Sequence, residues 1–497
     1  MRLAVVQCCI IPMSAYVMKF RPSAASISCS IEICQDQSRG SEYTDHDSAG
    51  SRDDLRDDGF APRSAMTNWT AAGIRPLTPR RGVCIVSRET TRRREAGITV
   101  ADASQGNDHM TLLFSPLALR GVELRNRIVV PPMHQYSAVK GFPTDWHLMN
   151  AGKFAAGGAG LVVVESTKVE RRGCGTLGDL GIWDDAFVEP LKRLAGFIRQ
   201  QNSVAGIQLG HSGRKARARR PWEGDGPLQR TDEIDDWEAW TPVAPSAIAH
   251  SEKWPVPKAL ERREVKDLVQ AWANGARRAR EAGFDVLELH GAHGYLVHQF
   301  LSERSNQRSD EYGGSELNRM RFITEIVEAV RAEWPGGKPL FVRLSVEDNA
   351  GWGPEQSARL ATILRGKGVD VIDCSSGGIT DLAPILGKEI KYSYQVPLSD
   401  YVRRHADIMT MAVGLIIHGD QAEQILQDQQ ADLIAVGREI LNNPNWPMDA
   451  ALKLGVEGPF RNVPPQFGYW LGTRAKRGFG TKPSTWQNGL NETRKLL

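Results

Sequence analysis

Two histidines and a tyrosine end an apolar run in the order His290, His293 and Tyr295. Imidazole can donate or accept a hydrogen bond, exchange a proton near neutral pH or ligate a metal ion, and a phenol within reach can supply a proton. The mainly apolar residues before them, Asp285 to Leu289, predict a buried strand. Because an α/β barrel keeps its chemistry at the carboxyl ends of such strands, the segment HGAHGY is the candidate active centre.

The spacing of the two histidines leaves more than one chemistry open. They could be catalytic hydrogen-bond donors, structural residues with satisfied rings, or two ligands of a metal ion. A metal site needs a third ligand from another strand, and Glu165, His211 and Asp373 are candidates. A metal-dependent lyase or hydrolase that uses His290 and His293 as ligands is therefore an alternative to an enzyme that needs no metal.

Other residues with useful chemistry lie at further predicted strand ends, namely Gln208, Arg343, Gly414, Gly437 and Arg438. An amide, a buried guanidinium and glycine-containing turns suit a planar ligand that carries a phosphate. Barrels commonly bind phosphate with the loops after strands seven and eight, where glycine lets backbone N–H groups approach closely. Arg343 could alternatively form a structural ion pair inside the barrel.

Eight short apolar runs after Met110 alternate with amphipathic stretches, which is typical of a parallel sheet with crossover helices. Because there are eight, we predict an α/β protein with a single (β/α)8 TIM barrel at about residues 110–490. The predicted strands are 127–133, 161–165, 205–209, 285–290, 339–345, 369–374, 408–413 and 432–436. The predicted helices include 186–201, 263–282, 317–334 and 355–367.

The connection after predicted strand three is unusually long, since residues 213–262 show no clear periodicity. It contains Trp222, Trp237, Trp240 and Trp254, and long connections in compact domains are usually functional or disordered. The aromatic content favours a folded insertion that caps the barrel mouth, although a packing flap without substrate contact is equally compatible. The motif GCGTLG at 173–178 follows no strand and opens no helix, so it is not interpreted as a Rossmann dinucleotide site.

The composition is that of an ordinary globular protein, with 41% hydrophobic residues, 24% charged residues and a formal charge of +3. This charge gives no electrostatic reason to expect nucleic acid or a membrane surface as a partner, and no apolar run approaches the roughly 20 residues that span a bilayer. Only Cys174 and Cys374 follow residue 100. The main body therefore has no disulfide framework, which fits a cytoplasmic protein acting on a small molecule.

Residues 1–109 lack any sustained period and are rich in Ser, Arg, Asp and Gly. Such a segment is predicted to be disordered, or to belong to an over-extended reading frame whose functional product begins near Met110. If deleting these residues abolished folding or cofactor retention, that hypothesis would be wrong.

Several long motifs occur in one order along the chain: DLGIWDD at 179–185, IQLGHSGRK at 207–215, HGAHGY at 290–295, and FLS at 300–302 followed by DEYGGS at 310–315. With them, the chain from about Leu112 to Tyr469 resembles the Old Yellow Enzyme family of FMN-dependent ene-reductases, particularly its bacterial thermophilic-like branch. The resemblance implies an enzyme that reduces activated alkenes. NADH or NADPH would reduce the FMN, and the alkene would reoxidise it in a ping-pong cycle.

The resemblance also assigns roles to residues. Gln208 would bind the flavin pyrimidine edge, Arg343 would lie near N1 and O2 and stabilise the anionic reduced flavin, and Ser166 would lie beside the ring. His290 and His293 would donate hydrogen bonds to the carbonyl or nitro oxygen of the substrate, Tyr295 would supply a proton, and Tyr136 would line the pocket. The cofactor-binding set would be Pro132, Met133, His134, Ser166, Gln208, Arg343, Gly414, Gly437 and Arg438.

One residue departs from the pattern of this branch, which usually has cysteine two residues before the tyrosine of the first strand motif. Here that position is His134, two residues before Tyr136. Because imidazole is larger and can be charged, the redox potential and substrate range are not transferable, and a flavin-binding protein without turnover is a further alternative. The segment PPQFGYW at 464–470 resembles a family segment that can reach a neighbouring subunit, so a homo-oligomer is expected.

Overall fold

Eight parallel strands close into a barrel in the structure, a computed structural model that describes residues 111–224, 226–230, 234–380 and 391–479. Each strand pairs with its neighbours in chain order, and the last pairs with the first. The predicted fold class is therefore confirmed, and each of the eight strands overlaps its predicted range. The barrel strands are β1 (Ile128–Val130), β2 (Leu161–Lys168), β3 (Val204–Gly210), β4 (Val286–Gly291), β5 (Leu340–Glu347), β6 (Val371–Ser376), β7 (Met409–Ala412) and β8 (Leu433–Ala435).

The barrel interior changes from apolar to polar along the strands. Val129, Leu161, Val286, Phe341 and Val371 belong to one buried cluster near the amino ends of the strands. Alternate residues of a strand point to the same face, so the next inward positions on β4, β5 and β6 lie two residues further on. These positions are the charged residues Glu288, Arg343 and Asp373. The next inward positions carry imidazole or hydroxyl groups, namely His290, Ser345 and Ser375. The apolar layer therefore supports a polar layer at the carboxyl end.

Helices cover the outside of the barrel. In α3, Val265, Leu268 and Trp272 are buried, because apolar residues at helical spacing form one face that packs on the strands. The four helices predicted from periodicity begin and end within two residues of the observed bounds. The helices are α1 (Asp145–Ala156), α2 (Val188–Gln200), α3 (Arg262–Glu281), α4 (Leu296–Leu301), α5 (Glu316–Glu333), α6 (Pro354–Gly366), α7 (Val396–Ala406), α8 (Gly419–Gln427), α9 (Arg438–Asn442), α10 (Trp446–Lys453) and α11 (Pro465–Lys476).

Short elements complete the described part of the chain. A hairpin of Leu117–Leu119 and Val122–Leu124 precedes β1, and its buried Leu119 and Leu124 pack against the apolar layer of the barrel. In the long connection between β3 and α3, Val243–Ala244 pairs with Lys258–Ala259. Within the described residues, no helix is long and apolar enough to cross a membrane. The predictions made for residues 1–109 lie outside the described residues.

The insertion after β3 is folded where it is described, as its aromatic content predicted. Trp240 is fully buried, and its indole Nε1 donates to the backbone oxygen of Cys174 at 2.9 Å. Arg171 stacks on the same ring, with its guanidinium carbon 4.0 Å from the centroid. Trp222 places its ring 5.4 Å from that of Tyr136. The insertion thus contacts Tyr136, a residue predicted to line the pocket. This contact favours an insertion that caps the barrel mouth over one that only packs against the protein surface.

Candidate active site

The HGAHGY segment begins inside the barrel and ends at the start of a helix. β4 ends at Gly291, one residue after His290, and Tyr295 directly precedes α4. The ring centroid of His290 lies 5.2 Å from that of His293 and 4.8 Å from that of Tyr295, in both cases edge to face. The three side chains singled out in the sequence therefore form one cluster at the carboxyl end of the barrel.

Two glycines allow the loop that carries His293 to lie against the loop after β6. A Cβ on Gly294 would meet the Gly378 backbone oxygen at 2.0 Å, and a Cβ on Gly378 would meet the His293 Cα at 2.5 Å. Any larger residue would push the two backbones apart. Lys215 joins them, because its ammonium donates to the backbone oxygens of His293 at 3.0 Å and of Gly378 at 2.6 Å. This contact fixes the position of His293.

His290 has a defined tautomer. The backbone N–H of Ala292 donates to His290 Nδ1 at 3.2 Å, so in the neutral ring the proton is on Nε2. Burial lowers the pKa of His290 well below its usual range, and the positive charge of Arg343 acts in the same direction. The ring is therefore neutral at physiological pH and presents an N–H donor.

His293 is held by two hydroxyl groups at the carboxyl ends of neighbouring strands. Its backbone N–H donates to Ser345 Oγ at 2.9 Å, and its ring Nε2 lies 2.7 Å from Ser375 Oγ. Burial lowers the pKa of His293 well below its usual range, with further contributions from Arg343 and Lys215. Two neutral imidazoles thus share the site without charge repulsion between them.

Tyr295 stays protonated in this environment. Burial raises the pKa of Tyr295 far above its usual range, and the Asp179 carboxylate raises it further. A fully buried lysine, Lys168, places its Nζ 5.4 Å from the centre of the Tyr295 ring. The same ammonium donates to Ser166 Oγ at 2.9 Å and lies 3.5 Å from Asp179 Oδ2. The proton of the phenol is therefore available for transfer throughout the neutral range.

His134 lies in the same aromatic cluster. Its ring stacks on Tyr136 with centroids 5.4 Å apart and meets the edge of Tyr295 at 6.2 Å. Neither ring nitrogen of His134 has a hydrogen-bond partner among the described residues. His134 Nδ1 also lies 3.6 Å from the buried carboxylate of Glu165. The residue that departs from the family pattern is therefore part of the candidate active site.

Glu165 is a buried carboxylate held by two histidines and a backbone group. Its Oε2 accepts the backbone N–H of Gln135 at 2.8 Å, and its Oε1 lies 3.1 Å from His147 Nε2. Burial alone would raise the pKa of Glu165, but the contacts with His134 and His147 outweigh it and lower the pKa. Glu165 therefore supplies a fixed negative charge behind His134.

Below the histidines, four buried polar side chains form a layer across neighbouring strands. Gln208 on β3 is the register partner of Glu288 on β4, and its Nε2 donates to Glu288 Oε1 at 2.7 Å. Arg343 on β5 is the register partner of both His290 and Asp373, and its Nε lies 3.0 Å from Asp373 Oδ2. The structural ion pair considered for Arg343 is thus present, within a layer that also contains the predicted flavin-binding amide.

A cavity of about 330 Å³ continues from this layer toward the ends of β7 and β8. Its lining includes Arg343, Gly414, Gly437 and Arg438, so the predicted phosphate-binding residues lie together beside the predicted ring-binding residue. The volume falls within the range of about 300–1,000 Å³ typical of small-molecule sites. Met133 reaches the same region, since a Cβ on Gly437 would lie 3.9 Å from its sulfur.

Two observations show that these residues fit FMN. Arg343 is buried and its Nε pairs with Asp373, but its two terminal nitrogens make no hydrogen bond to any described residue, so they have donors available for a ring edge. A Cβ on Gly437 would have no atom nearer than 3.8 Å, so the backbone there is open where a phosphate would approach. Gly414 has φ of +114° and packs against Gln395, which leaves no room for a side chain at that position.

The three candidates for a third metal ligand have other partners. His211 Nε2 lies 2.8 Å from Glu170 Oε1, Asp373 pairs with Arg343, and Glu165 faces His147. Within the described ranges, no group of three or more His, Cys, Asp or Glu residues is arranged to hold a metal ion. The geometry therefore gives no support to the alternative of a metal-dependent lyase or hydrolase.

Two charged residues of the site were not assigned a role from the sequence. Lys168 ends β2 and Glu288 lies in the middle of β4, and both are fully buried. A charged residue within an apolar run of this kind indicates a buried partner, since lysine and glutamate are almost never buried alone. Gln208, the partner of Glu288, comes from a neighbouring strand, and Asp179, the partner of Lys168, comes from the connection after β2, so neither pairing can be identified from the local sequence.

The comparisons with known proteins agree with this geometry. The model of the NADH:flavin oxidoreductase / NADH oxidase family matches residues 112–456. The chain is 45% identical over 350 residues to an NADPH dehydrogenase of Geobacillus sp. strain WCH70, covering 70% of this chain and 95% of that protein. It is 44% identical over 356 residues to an NADPH dehydrogenase of Listeria monocytogenes serovar 1/2a, covering 70% of this chain and 98% of that protein.

Solved structures give the same assignment. Morphinone reductase superposes with a TM-score of 0.58 at 26% identity, covering 69% of this chain and 90% of that one. An Old Yellow Enzyme homologue from Zymomonas mobilis superposes with a TM-score of 0.57 at 26% identity, covering 72% of this chain and 98% of that one. The prediction of an FMN-dependent oxidoreductase that uses a nicotinamide is confirmed by these matches. The chain belongs to the NADH:flavin oxidoreductase / NADH oxidase family.

Proposed function

We propose that the protein reduces the carbon–carbon double bond of α,β-unsaturated carbonyl or nitro compounds with hydride from NAD(P)H. The observation that carries this proposal is the convergence of His290, His293 and Tyr295 above the layer that contains Gln208 and Arg343. The names of the relatives, NADPH dehydrogenase and morphinone reductase, support a nicotinamide-dependent reductase. Bound FMN would supply the two-electron chemistry, taking hydride from the nicotinamide and giving it to the β-carbon of the alkene.

The residues around the cavity hold the cofactor in this proposal. Gln208 would bind the pyrimidine edge of the ring, Arg343 would supply a positive charge to it, and Ser166 would contact the ring. Gly414, Gly437 and Arg438 would bind the phosphate, and the Pro132-Met133-His134 segment at the end of β1 would complete the ring site. The buried guanidinium and the open backbone at Gly437 support these assignments.

His290 and His293 bind the carbonyl or nitro oxygen of the substrate as hydrogen-bond donors. Negative charge grows on that oxygen as the β-carbon accepts hydride, so fixed donors stabilise the transition state more than the bound substrate. Both rings are neutral, because burial lowers the pKa of each histidine well below its usual range. Their donor function therefore does not depend on protonation in the acidic to neutral range.

We expect His290→Ala to lower kcat/KM for an enone by about 10²–10³-fold, the usual effect of removing one oxyanion donor. The rate of flavin reduction by NADPH should change much less, because no negative charge develops on a substrate oxygen in that half-reaction. Stopped-flow measurement of the two half-reactions separates the effects. His290→Asn keeps an amide donor and should recover part of the loss. Equal slowing of both half-reactions in His290→Ala would contradict the assignment.

We expect His134→Cys to change the midpoint potential of the bound flavin, because His134 lies in the aromatic cluster of the site. Removing the imidazole also removes a partner of the Glu165 carboxylate. Spectroelectrochemical titration measures the potential. The matched control is His405→Cys on the exposed part of α7, which should leave it unchanged. An unchanged potential in His134→Cys would count against a flavin contact at this position.

Purified protein tests the proposal directly. We expect a yellow protein that releases FMN on denaturation. Under anaerobic conditions it should oxidise more than one equivalent of NADPH per flavin only when an enone such as 2-cyclohexenone is present, with one saturated ketone formed per NADPH consumed in turnover. A colourless protein that contains a metal ion would support the lyase or hydrolase alternative. A flavin that NADPH bleaches, and that no enone or nitroalkene reoxidises, would leave the non-catalytic flavin-binding protein as the better description.

Assembly and location are further parts of the proposal. Helix α11 carries the strongly exposed aromatic residues Phe467, Tyr469 and Trp470, which suit a contact with a second copy of the chain. We propose a homo-oligomer in the cytoplasm, and sedimentation of wild-type protein against Trp470→Lys tests the contact. A wild-type protein that sediments as a monomer would contradict it.

A further inference from the structure

A carboxyl group lies in the barrel directly below the candidate active centre. Glu288 is on β4, two residues before His290, and its side chain is fully buried. One oxygen, Oε1, accepts from the amide Nε2 of Gln208 at 2.7 Å. The other oxygen, Oε2, has no hydrogen-bond partner among the described residues. If Glu288 were ionised, only one of its two carboxylate oxygens would have a hydrogen-bond partner.

The charged groups that face Glu288 do not balance if every carboxyl is ionised. Asp373 on β6 is also fully buried, and Arg343 on β5 is the cation between the two strands. The remaining neighbours, Gln208 on β3 and His290 on the same strand, are neutral. Two carboxylates with one guanidinium would leave a net negative charge in a buried site, which is strongly unfavourable. One bound proton removes this charge.

The proton belongs on Glu288 rather than on Asp373. Asp373 Oδ2 lies 3.0 Å from Arg343 Nε, a contact that favours the ionised carboxylate. The direct partner of Glu288 is an uncharged amide. Burial and the Asp373 charge raise the pKa of Glu288 to about 8, although Arg343 acts in the opposite direction. At neutral pH the group is thus a neutral acid.

The position of Glu288 connects it with the cofactor through Gln208. With one amide N–H of Gln208 engaged by Glu288, the carbonyl oxygen and the second N–H remain available for a ring edge. A fixed amide cannot rotate to exchange its donor and acceptor ends. Glu288 therefore determines which face of the amide Gln208 presents.

We propose that Glu288 is a positioning residue, which orients the Gln208 amide toward bound FMN and, where its carboxyl is ionised, takes up a proton from solvent when the cofactor is reduced. The inference rests on the proposed function for the presence of FMN. Reduction by dithionite brings two electrons and one proton to the cofactor and adds one negative charge to the site. That charge raises the proton affinity of the Glu288 carboxylate, so one O–H bond forms on Glu288 with a proton from water.

Redox titration of the holoprotein with dithionite, repeated between about pH 6 and about pH 10, counts the protons taken up per two electrons. We expect one proton at the acidic end, where Glu288 is already protonated, and a rise toward two as the pH passes the pKa of Glu288. Ionisation at N1 of the reduced cofactor gives the opposite trend, from two protons to one with increasing pH, whereas a rise caused by loss of the N3 proton from the oxidised cofactor would persist in Glu288→Gln. A constant count of one in wild type would overturn the proposal.

Two variants test whether Glu288 is the group that takes up the second proton on reduction. Glu288→Gln keeps an acceptor for Gln208 without an ionisable group, so its count should stay at one and its potential should exceed that of wild type at alkaline pH. Glu123→Gln, on the exposed hairpin before β1, should behave as wild type. A rise that persists in Glu288→Gln would overturn the assignment.

A spectroscopic measurement covers the case in which Glu288→Gln does not fold. Infrared spectra of oxidised wild-type holoprotein should show the carbonyl stretch of a protonated carboxylic acid at neutral pH and lose it at alkaline pH, where the reduced-minus-oxidised difference spectrum should show the same band as a gain. Its absence at neutral pH would also overturn the proposal. Because dithionite titration needs no alkene, a protein that binds FMN and fails to reduce enones would disprove the proposed function alone.

Discussion

Replacing Tyr295 with phenylalanine is expected to slow reoxidation of the reduced protein by an enone by about 10²–10⁴-fold, the usual contribution of a positioned general acid. The ring of Tyr295 lies 4.8 Å from that of His290, and burial raises the pKa of its phenol far above the usual range. The variant keeps the ring and loses only the hydroxyl. Rapid-mixing measurement of flavin reoxidation against enone concentration checks the result.

The specificity of this loss separates proton donation from a structural role. Reduction by NADPH, and reoxidation by ferricyanide, require no proton on carbon and should proceed at nearly the wild-type rate in Tyr295→Phe. Tyr312→Phe is the matched control, because it removes the same hydroxyl from a buried tyrosine outside the site, where that hydroxyl donates to Glu325 on α5. If Tyr295→Phe slowed the ferricyanide reaction as much as the enone reaction, Tyr295 would not be the proton source.

Replacing Arg343 with methionine is expected to lower the free energy of unfolding by about 3–5 kcal/mol, because the substitution leaves the Asp373 carboxyl buried without its cation. Burial already raises the pKa of Asp373, and Arg343 is the group that opposes this rise. The variant should also lose FMN more readily, since the positive charge beside the ring is removed. Urea denaturation and ultrafiltration with FMN quantification measure the two effects.

A second substitution separates stability from cofactor binding. Arg343→Met with Asp373→Asn removes the orphaned carboxyl, so the double variant should regain much of the lost stability. Its affinity for FMN should stay low, because the cation is still absent. If the double variant bound FMN as wild type does, Arg343 would be a structural ion-pair residue without a role in cofactor binding.

The fold could be predicted because its signals are local. Buried parallel strands are continuous apolar runs, as in Leu161 to Val164, and the outer helices show an apolar face at a period of 3.6 residues. The predicted strand at 127–133 was too long, since β1 comprises Ile128–Val130. The prolines at 131 and 132 explain the difference, because proline cannot donate to a sheet.

Part of the site was visible in the sequence because HGAHGY holds three of its members in six consecutive residues. Glu288 is only two residues away, yet its role depends on Gln208 and Arg343, which strand register brings beside it. Lys168 likewise acquires its environment from Asp179 and Tyr295, which are distant along the chain. A single sequence gives the order of the strands but not the register that pairs inward-facing residues across them.

The central claim is that reduced protein passes its electrons to an activated alkene, and a single turnover tests it most directly. Holoprotein is reduced anaerobically with one equivalent of NADPH and then mixed with 2-cyclohexenone in the absence of oxygen. We expect the absorbance of oxidised flavin to return in full and one equivalent of cyclohexanone to form per flavin. A flavin that remains bleached until oxygen is admitted, with no cyclohexanone formed, would contradict it.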